Sequence, residues 1–102
     1  MSGQWEESEL VFCDLQNAAR AIRRNNPDAA RRFLEAAYDT FELLAQHPGI
    51  GRRRGDLGFP EVRSIQIRGF RRFLVFYREL SDRVQIWRVL HAARDLEREL
   101  SS

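Results

Sequence analysis

The chain has 102 residues, of which 43% are hydrophobic and a single one is cysteine, and its formal net charge is +2. This length and hydrophobic content suit one small domain, expected over residues 1–102, whose core needs neither a disulfide nor a metal ion. Because Cys13 is the only cysteine, a disulfide framework is excluded, and Cys13 is expected to be a small packing residue. No segment resembles a signal peptide or a membrane span of ~20 apolar residues, so we expect a soluble, cytoplasmic protein.

The start of the chain predicts a short strand followed by an amphipathic helix. Residues 3–7 are expected to form the strand, and Ser8 to cap the helix by accepting a hydrogen bond from a free backbone N–H. Apolar residues then recur at helical spacing along one face, at Val11, Leu15, Ala18 and Ile22. The segment RNNPDAA, residues 24–30, is expected to end this helix.

A second helix is predicted to begin at this break. Asn26 is expected to cap it and Pro27 to occupy its first position, where the missing N–H of proline is harmless. Its apolar stripe consists of Ala30, Phe33, Ala37, Phe41 and Leu44. It is expected to end at His47, in a capping role beside Pro48. Because the two helices are joined by few residues and have matching apolar faces, we expect an antiparallel helical hairpin.

The second half of the chain predicts a loop and then strands. The segment PGIGRRRGDLGFP, residues 48–60, contains four Gly and two Pro and is expected to be a loop. In residues 61–67 the alternation places Ile65 and Ile67 on one face of a strand. Residues 71–80 hold five consecutive apolar or aromatic residues, which is typical of a central strand covered on both faces.

The last strand is expected to form a hairpin with the central one, through a turn at Ser81 and Asp82. Its alternation predicts one face with Val84, Ile86 and Leu90, and another with Trp87 and Val89. Residues 93–100 then predict a short polar helix. The whole order predicts an α+β fold, in which an N-terminal helical hairpin packs on a small antiparallel sheet and a short C-terminal helix follows.

The charge of the chain is concentrated in its middle third. All 17 basic residues are arginine, and residues 48–78 carry eight of them against two acids, a net charge of +6. Such a basic stripe suits a polyanion or an acidic protein surface. The alternative is that these charges are solvated and only keep the domain soluble.

Several polar residues allow both a structural and a functional interpretation. His91 is expected to accept a backbone N–H at the corner between strand and helix, with RNA chemistry or partner contact as alternatives. Asp95 is expected in the first turn of the last helix, and Arg94 is expected to pair with an acid. Arg88 lies on an apolar strand face and therefore needs a carboxylate, for which Asp14 is the predicted partner.

Tyr77 ends the central strand, where a packed ring with a hydrogen-bonded hydroxyl is the structural interpretation and a catalytic group the alternative. No metal is expected, because the two histidines are forty-four residues apart and match no ligand spacing. No cofactor is expected either. The segment GIGRRRG, residues 49–55, follows a helix rather than a strand and lacks the Lys-Ser/Thr end of a phosphate-binding loop.

Several segments in this order resemble one known family. They are Asp14-Leu15 in the first helix, NNPDAARRF at 25–33, LAQHPGIGRRR at 44–54, VRSIQIRGFRRFLVFYR at 62–78 and VQIWRVLHAARDL at 84–96. Together they are similar to the ParE branch of the ParE/RelE toxin superfamily, the plasmid-stabilisation proteins, over about residues 8–100. The chain departs from the family at Val11 and Phe12, which are more apolar than the usual helix start.

The resemblance implies a RelE/ParE-like fold and the toxin of a type II toxin–antitoxin module. A cognate ParD-like antitoxin would wrap its C-terminal segment around the toxin in a hetero-oligomer, and DNA would be contacted only through the antitoxin, with no membrane involved. Characterised ParE proteins act on DNA gyrase and arrest growth, whereas RelE relatives cut messenger RNA on the ribosome. These activities belong to the family and do not follow from periodicity or charge.

Two toxic mechanisms, and a third non-toxic possibility, follow from this resemblance. In the first, the protein binds and inhibits gyrase through exposed arginines near the glycine-rich segment, the strand edge and the C-terminal helix: Arg52, Arg53, Arg54, Arg71, Arg72, Arg94 and Arg98. In the second, the protein is a ribosome-dependent nuclease. In the third, it is a degenerate toxin kept only within an antitoxin-controlled repressor complex.

The nuclease mechanism would use Arg68, Arg72 and Arg88 on the phosphate, with His91 or Tyr77 moving the proton. RNA cleavage by a 2′-hydroxyl needs a base, an acid and cations on the phosphate. RelE-like nucleases resemble one another in using lysine, arginine and a C-terminal tyrosine, but this chain has no lysine and no tyrosine after residue 77. Because arginine stays protonated below about pH 12, it substitutes poorly as a base, and we favour a protein that is not an enzyme.

The antitoxin is expected to place apolar anchors in a groove between the helical hairpin and the sheet, with acidic residues near the arginines. The predicted anchoring positions on this chain are Leu34, Tyr38, Phe59 and Trp87. A place in the core competes with this interpretation at each position, and about half of the four are expected to be core residues.

Overall fold

In the computed structural model, which describes residues 4–100, five strands and three helices follow one another along the chain. The elements are β1 (Trp5–Glu7), α1 (Glu9–Arg23), α2 (Pro27–Gln46), β2 (Arg52–Arg54), a 3₁₀ turn (Gly55–Leu57), β3 (Phe59–Ile67), β4 (Phe70–Glu79), β5 (Val84–His91) and α3 (Leu96–Leu100). The predicted first strand is confirmed over residues 5–7, and its residue 3 lies outside the described part of the chain. The predicted α+β fold is therefore confirmed.

The helical hairpin forms as its apolar periodicity predicts. The stripes of α1 and α2 are buried, and the two helices pack against each other. The cap at Asn26 is confirmed, since its side chain accepts a hydrogen bond from the Ala29 amide at 3.1 Å and Pro27 begins the helix. His47 is the residue at the C-terminal end of α2, where its amide donates to the Leu43 carbonyl at 2.9 Å.

Two expectations for α1 are wrong. Ser8 does occupy the N-cap position, but its side chain does not accept the predicted hydrogen bond, because its hydroxyl donates to the Trp87 carbonyl at 2.7 Å. Its amide donates to the Ile86 carbonyl at 2.9 Å. The side chain is thus directed to the neighbouring strand instead of the helix. Cys13 is exposed and does not pack in the core. It lies two positions after the buried Val11, about 200° further round the helix axis.

The five described strands form one sheet in the order β1-β5-β4-β3-β2. Neighbouring strands are antiparallel except for β1, which runs parallel to β5. The sheet is therefore mixed, where the sequence predicted an antiparallel one. Residues 71–80 were expected to form a central strand, and β4 indeed lies in the middle of the sheet.

The predicted loop over residues 48–60 is corrected by β2, which pairs with β3 and forms an edge of the sheet. Three consecutive arginines have no strand pattern, so this strand depends on tertiary contacts. At its start the Gly51 amide donates to the hydroxyl of Tyr77 at 2.8 Å. A Cβ atom on Gly51 would overlap the Tyr77 ring, which requires glycine here.

A β-bulge in β5 changes which side chains share a face. Tyr77 lies opposite Ile86 and Phe76 lies opposite Arg88, so Trp87 is an extra residue between two paired positions. Beyond it the alternation is inverted: Val89 joins the core on the hairpin side, whereas Leu90 packs in the second cluster with Trp87. The prediction that Leu90 shares the face of Ile86, and Val89 that of Trp87, is therefore wrong.

The sheet carries apolar clusters on both faces. Along β4, Phe73, Val75 and Tyr77 belong to the core beneath the hairpin, and the alternating residues Leu74 and Phe76 belong to the second cluster. The second cluster is covered by α3 through its two leucines and by the 3₁₀ turn through its own leucine. Within residues 4–100, no helix has the length and apolar character needed to cross a membrane.

Candidate functional site

The side chain of Arg88 is buried in an ion cluster that joins three elements. Its Nε and Nη2 atoms donate to the carboxylate of Asp14 in α1 at 2.8 and 2.9 Å, and Nη2 also donates to Glu99 in α3 at 2.8 Å. The same Asp14 carboxylate accepts the Val89 amide at 3.0 Å. The hydrogen bond that Arg88 donates to Asp14 is the main cause that raises the pKa of Arg88 above its ordinary value. The predicted Asp14–Arg88 pair is confirmed, and Glu99 is a third member that no sequence pattern indicated.

The corner after β5 is held by His91 and Asp95. The Nδ1 atom of His91 accepts the Arg94 amide at 3.1 Å, as the structural interpretation predicts. The Asp95 carboxylate accepts the His91 amide at 3.0 Å, the Nε atom of Arg94 at 2.9 Å and the Nη2 atom of Arg98 at 3.0 Å. The Nδ1 atom of His91 and the carboxylate of Asp95 are thus both engaged in hydrogen bonds that hold the backbone at this corner.

Asp95 is therefore the acid that was predicted to pair with Arg94, although it lies just before α3 rather than in its first turn. Burial by itself would raise the pKa of Asp95, but hydrogen bonds from Arg94 and from the His91 amide outweigh it and lower the pKa below its usual value. The carboxylate therefore stays charged at neutral pH and fixes the start of α3.

Tyr77 is fully buried, and both functions of its hydroxyl are used. The oxygen accepts the Gly51 amide at 2.8 Å, and the hydroxyl donates to the Pro48 carbonyl at 2.8 Å. Burial is the main cause that raises the pKa of Tyr77. The structural interpretation is confirmed: this side chain ties the segment after α2 to the central strand.

The structure does not bring the residues of the nuclease hypothesis into one site. His91 lies opposite Phe73 and Tyr77 is four residues further along β4, a separation of about 13 Å along a strand. Arg88 is engaged by Asp14. Arg68 lines a different cleft beside α2, together with Asp39, Thr40 and other residues of that helix.

The arginines predicted to bind a target fall into three groups. Arg52, Arg71 and Arg54 line one cavity, of about 340 Å³, together with Ser64, Ile65, Gln66, Leu74 and Ala92; we call it the arginine pocket. Arg94 and Arg98 line another cavity, of about 290 Å³, between α1 and α3, and both are bound to Asp95. Arg53 and Arg72 are exposed and form no ion pair within residues 4–100.

Arg54 is not the exposed cation that the sequence predicts, because only 8% of its surface is accessible. Its guanidinium donates to both carboxylate oxygens of Asp56 at 3.1 and 3.0 Å and to the Ser64 hydroxyl oxygen at 3.0 Å, and it lies 5.8 Å from the centre of the Phe76 ring. Arg52 donates to Asp56 as well, at 3.1 Å. The hydrogen bond from Arg54 is the main cause that lowers the pKa of Asp56.

The four predicted antitoxin anchors lie in two pairs. Leu34 is half-buried against the hairpin-side core, and Tyr38, 39% exposed, contacts the Phe41 ring at 5.2 Å. Phe59 and Trp87 meet edge to face at 5.1 Å in the second cluster, on the opposite side of the sheet. The expectation of one groove lined by all four is therefore wrong, because the sheet itself separates the pairs.

Exposed apolar side chains that the sequence reasoning did not select are also present. They are Leu10, Phe12, Leu43 and Ile50, with exposures of 47, 63, 44 and 49%. Phe12 was recognisable, since it stands beside the apolar stripe of α1 and departs from the family pattern. The described residues contain no cluster of three or more His, Cys, Asp or Glu side chains able to hold a metal ion.

The comparisons with known proteins agree with this architecture. The solved structure of the "Chromosomal ParDE TA system from P. aeruginosa" contains a chain that superposes with a TM-score of 0.72 at 18% sequence identity, over 88% of this chain and 96% of that one. No curated protein matches significantly. The family model described as the ParE toxin of the type II toxin–antitoxin system parDE matches residues 8–96. Because this match spans most of the sequence, the chain belongs to the ParE toxin family of type II toxin–antitoxin systems.

Proposed function

We propose that this protein is a cytoplasmic toxin that inhibits DNA gyrase by binding it, without breaking a covalent bond, and that a cognate ParD-like antitoxin neutralises it. The observation that carries the proposal is that Arg88, His91 and Tyr77 are each engaged in structural hydrogen bonds, whereas basic side chains of β2 and β4 form no ion pair within residues 4–100. Family membership supports the module, and the target follows from the activity that the resemblance implies.

The engaged side chains argue against phosphodiester chemistry. A general base must reach the proton it removes, within hydrogen-bond distance or through one water. The imidazole Nδ1 of His91 already accepts the Arg94 amide, and the Tyr77 hydroxyl is fully buried between Gly51 and Pro48. Using either group would break contacts that hold the chain. The two groups are also far apart, because His91 on β5 lies opposite Phe73, four residues before Tyr77 on β4.

The free arginines supply the surface for binding. Arg53, Arg71 and Arg72 are exposed, and none of them forms an ion pair within residues 4–100. They belong to the segment 48–78, whose net charge is +6. A concentrated positive field accelerates encounter with an acidic surface and selects its orientation. We therefore assign the contact with gyrase to these arginines of β2 and β4.

The antitoxin would contact both faces of the sheet. Tyr38 is exposed on the hairpin side, and Phe59 and Trp87 are half-buried on the opposite side. An extended segment that passes around a sheet edge can reach both, which suits the wrapping mode implied by the resemblance. The proposed complex is a hetero-oligomer, and this chain would reach DNA only through its antitoxin.

A supercoiling assay with purified toxin and gyrase tests the target. The wild-type protein is expected to suppress supercoiling at near-stoichiometric amounts. The variant Arg71→Glu/Arg72→Glu should need at least about tenfold more protein, since two reversed charges oppose an acidic surface. The matched control is Arg20→Glu/Arg32→Glu, which reverses two exposed arginines on the helical hairpin that form no ion pair within the described chain.

Three results would contradict the proposal. Unimpaired supercoiling at stoichiometric excess of folded toxin would exclude gyrase as the target. Primer extension on cellular RNA after induction addresses the mechanism: new cleavage ends that disappear in His91→Ala would show that the protein is a nuclease. Equal loss of inhibition in the control pair would show that net charge alone, and not the position of Arg71 and Arg72, is responsible.

A further inference from the structure

The arginine pocket has features of a prepared anion site beyond its positive charge. It is a concave space of about 340 Å³ between β2, β3 and β4. Arg52 and Arg54 are both held by Asp56, and Arg71 is exposed without an ion pair in the described chain. With three cations around one carboxylate, the formal charge of the site is positive. An arriving anion therefore meets excess positive charge.

Ser64 contributes a hydroxyl group to the lining of this pocket, and within residues 4–100 this hydroxyl accepts a hydrogen bond but donates none. The residue is only 5% exposed, and its oxygen accepts Nη1 of Arg54 at 3.0 Å. The hydroxyls of Ser8 and Thr40, in contrast, donate to the carbonyls of Trp87 and Ala36. Within residues 4–100 the Ser64 proton is left available for an acceptor that enters the pocket. The Ser64 oxygen is satisfied as an acceptor, and its donor capacity can serve an oxyanion that enters the pocket.

The contacts of Arg54 hold its guanidinium in one position, which suits the binding of a ligand better than a side chain moving freely in solvent would. Three of its N–H groups are used by Asp56 and Ser64, out of the five that a guanidinium offers. Its ring contact with Phe76 and its low exposure keep the group from moving freely. The conformational entropy of the Arg54 side chain is therefore lost on folding. Binding of an oxyanion to its remaining donors does not lower that entropy a second time.

We propose that the arginine pocket binds the carboxylate of an acidic side chain from a protein partner. The donors are the Ser64 hydroxyl, the remaining N–H groups of Arg54 and the exposed Arg71, with Gln66 at the rim. The oxyanion site itself is independent of the function proposed above, and only the assignment of the carboxylate to a protein partner rests on it.

A phosphate group shares this oxyanion chemistry, but the surroundings favour a carboxylate. Binding of single-stranded nucleic acid relies on aromatic rings that stack on bases. None of the residues that line the pocket is aromatic; its apolar walls are Ile65, Leu74 and Ala92. A short aliphatic side chain ending in a carboxylate fits such walls, and a charge-assisted pair with arginine fixes its orientation.

A titration of the isotope-labelled, full-length protein tests the site. Hexaglutamate peptide is the main probe, with inorganic phosphate and a six-nucleotide RNA as comparisons. We expect saturable shifts of the Ser64 and Gln66 amides with the peptide. Arg71→Gln should weaken peptide binding by about fivefold or more, as expected for loss of one charged contact in a partly exposed site. Arg32→Gln, an exposed arginine on α2 with no ion pair in the described chain, is the matched control.

A second variant, Ser64→Ala, removes the donor while Asp56 still holds Arg54. Ser64→Ala should weaken binding of the hexaglutamate peptide to a similar degree as Arg71→Gln. If it does not fold, Arg71→Gln decides alone, since Arg71 is exposed and has no ion pair to lose. The proposal is overturned if the shifts are spread over all arginines, or if Arg32→Gln weakens binding equally. Tighter binding of phosphate and RNA at the same residues would overturn the carboxylate assignment in favour of nucleic acid.

These outcomes are separate from those of the gyrase assay. A pocket that binds hexaglutamate in a protein without effect on supercoiling would remove the proposed target and leave this site standing. If the protein inhibits gyrase but its arginine pocket binds none of the three probes, only the inference about this pocket is overturned.

Discussion

The guanidinium of Arg88 and the carboxylate of Asp14 form a two-point ion pair between β5 and α1, with N–O distances of 2.8 and 2.9 Å. Both residues are 8% exposed. The same carboxylate accepts the Val89 amide at the side of β5, beyond the part of that strand that β1 covers. The pair therefore fixes the first helix on the sheet, and Glu99 attaches α3 to the same cation.

Removing Asp14 should destabilise the protein strongly. The variant Asp14→Ala leaves the buried Arg88 cation with only Glu99 and leaves the Val89 amide without its acceptor. Breaking a buried ion pair on one side typically costs about 3 kcal/mol or more. Urea denaturation at neutral pH measures this loss in the free energy of unfolding. As a control, Glu35→Ala breaks the exposed Arg31–Glu35 pair and should cost less than about 1 kcal/mol. Equal losses in the two variants would contradict this assignment.

Tyr77→Phe should lower stability at neutral pH by about 1–2 kcal/mol, because the buried Gly51 amide loses its acceptor. Since Tyr77 lacks a catalytic role in our proposal, the folded variant should still inhibit gyrase at wild-type concentrations. Chemical denaturation and the supercoiling assay measure the two effects. Loss of inhibition in a variant that remains folded would show that the hydroxyl has a functional role.

The raised pKa of Tyr77 also predicts a pH dependence. Folding favours the neutral phenol, so this contribution to stability is complete below the usual pKa of 10.0 and is lost as the pH rises through the higher value of the folded state. The sequence contains no lysine, so few other groups titrate there. Wild-type stability should therefore fall more steeply above about pH 10 than that of Tyr77→Phe. Tyr38, whose pKa burial also raises, contributes equally to both proteins. Parallel pH profiles would refute the assignment.

Asp95 makes α3 sensitive to acid. Its pKa is lowered in the folded state, so its contribution to stability is present above the usual value of 3.8 and is lost as the pH falls through the folded value. Asp95→Asn should destabilise the protein by about 1 kcal/mol at neutral pH, because it weakens the bonds from Arg94 and Arg98, which are partly exposed. The difference from wild type should shrink as the pH falls below 3.8 and through the lowered pKa of the folded state, because the wild-type carboxyl then becomes protonated. A difference that stays constant with pH would show that charge is not involved.

Trp87→Ala should weaken binding of the cognate antitoxin by about 2 kcal/mol or more, because a half-buried aromatic side chain at a partner surface is a typical hot spot. Isothermal titration calorimetry with the antitoxin measures the change. Phe12→Ala is the comparison, since Phe12 is 63% exposed on α1 and outside the predicted anchors. An unchanged dissociation constant in a folded Trp87→Ala variant would remove Trp87 from the interface.

The helical hairpin and the central strand could be predicted from the sequence because their signals are local. The apolar stripe of α1 and the cap at Asn26 depend on residues within a few positions of one another, and each is confirmed. The Asp14–Arg88 pair was predictable for another reason. A cation on an apolar strand face requires a counter-charge, and Asp14 was available on the packing side of a helix.

The antitoxin anchors and the exposure of Arg54 were not predictable in this way. Arg54 has the same local sequence as its exposed neighbours, and its burial depends on Ser64 and Phe76 of other strands. Leu34 and Trp87 are each half-buried, but the sheet that separates them is assembled from segments far apart in the chain. Whether these residues are exposed or buried therefore depends on tertiary contacts, which the local sequence pattern does not contain.

The sequence by itself determined which segments are helices, which strand is central, and that one buried arginine needs an acid. Only the tertiary structure decided the parallel pairing of β1 with β5, the strand at Arg52–Arg54 and the inverted alternation after Trp87. The physical reason is the range of the interactions. Periodicity and capping act within one or two turns, whereas a bulge or an edge strand forms from hydrogen bonds to distant residues.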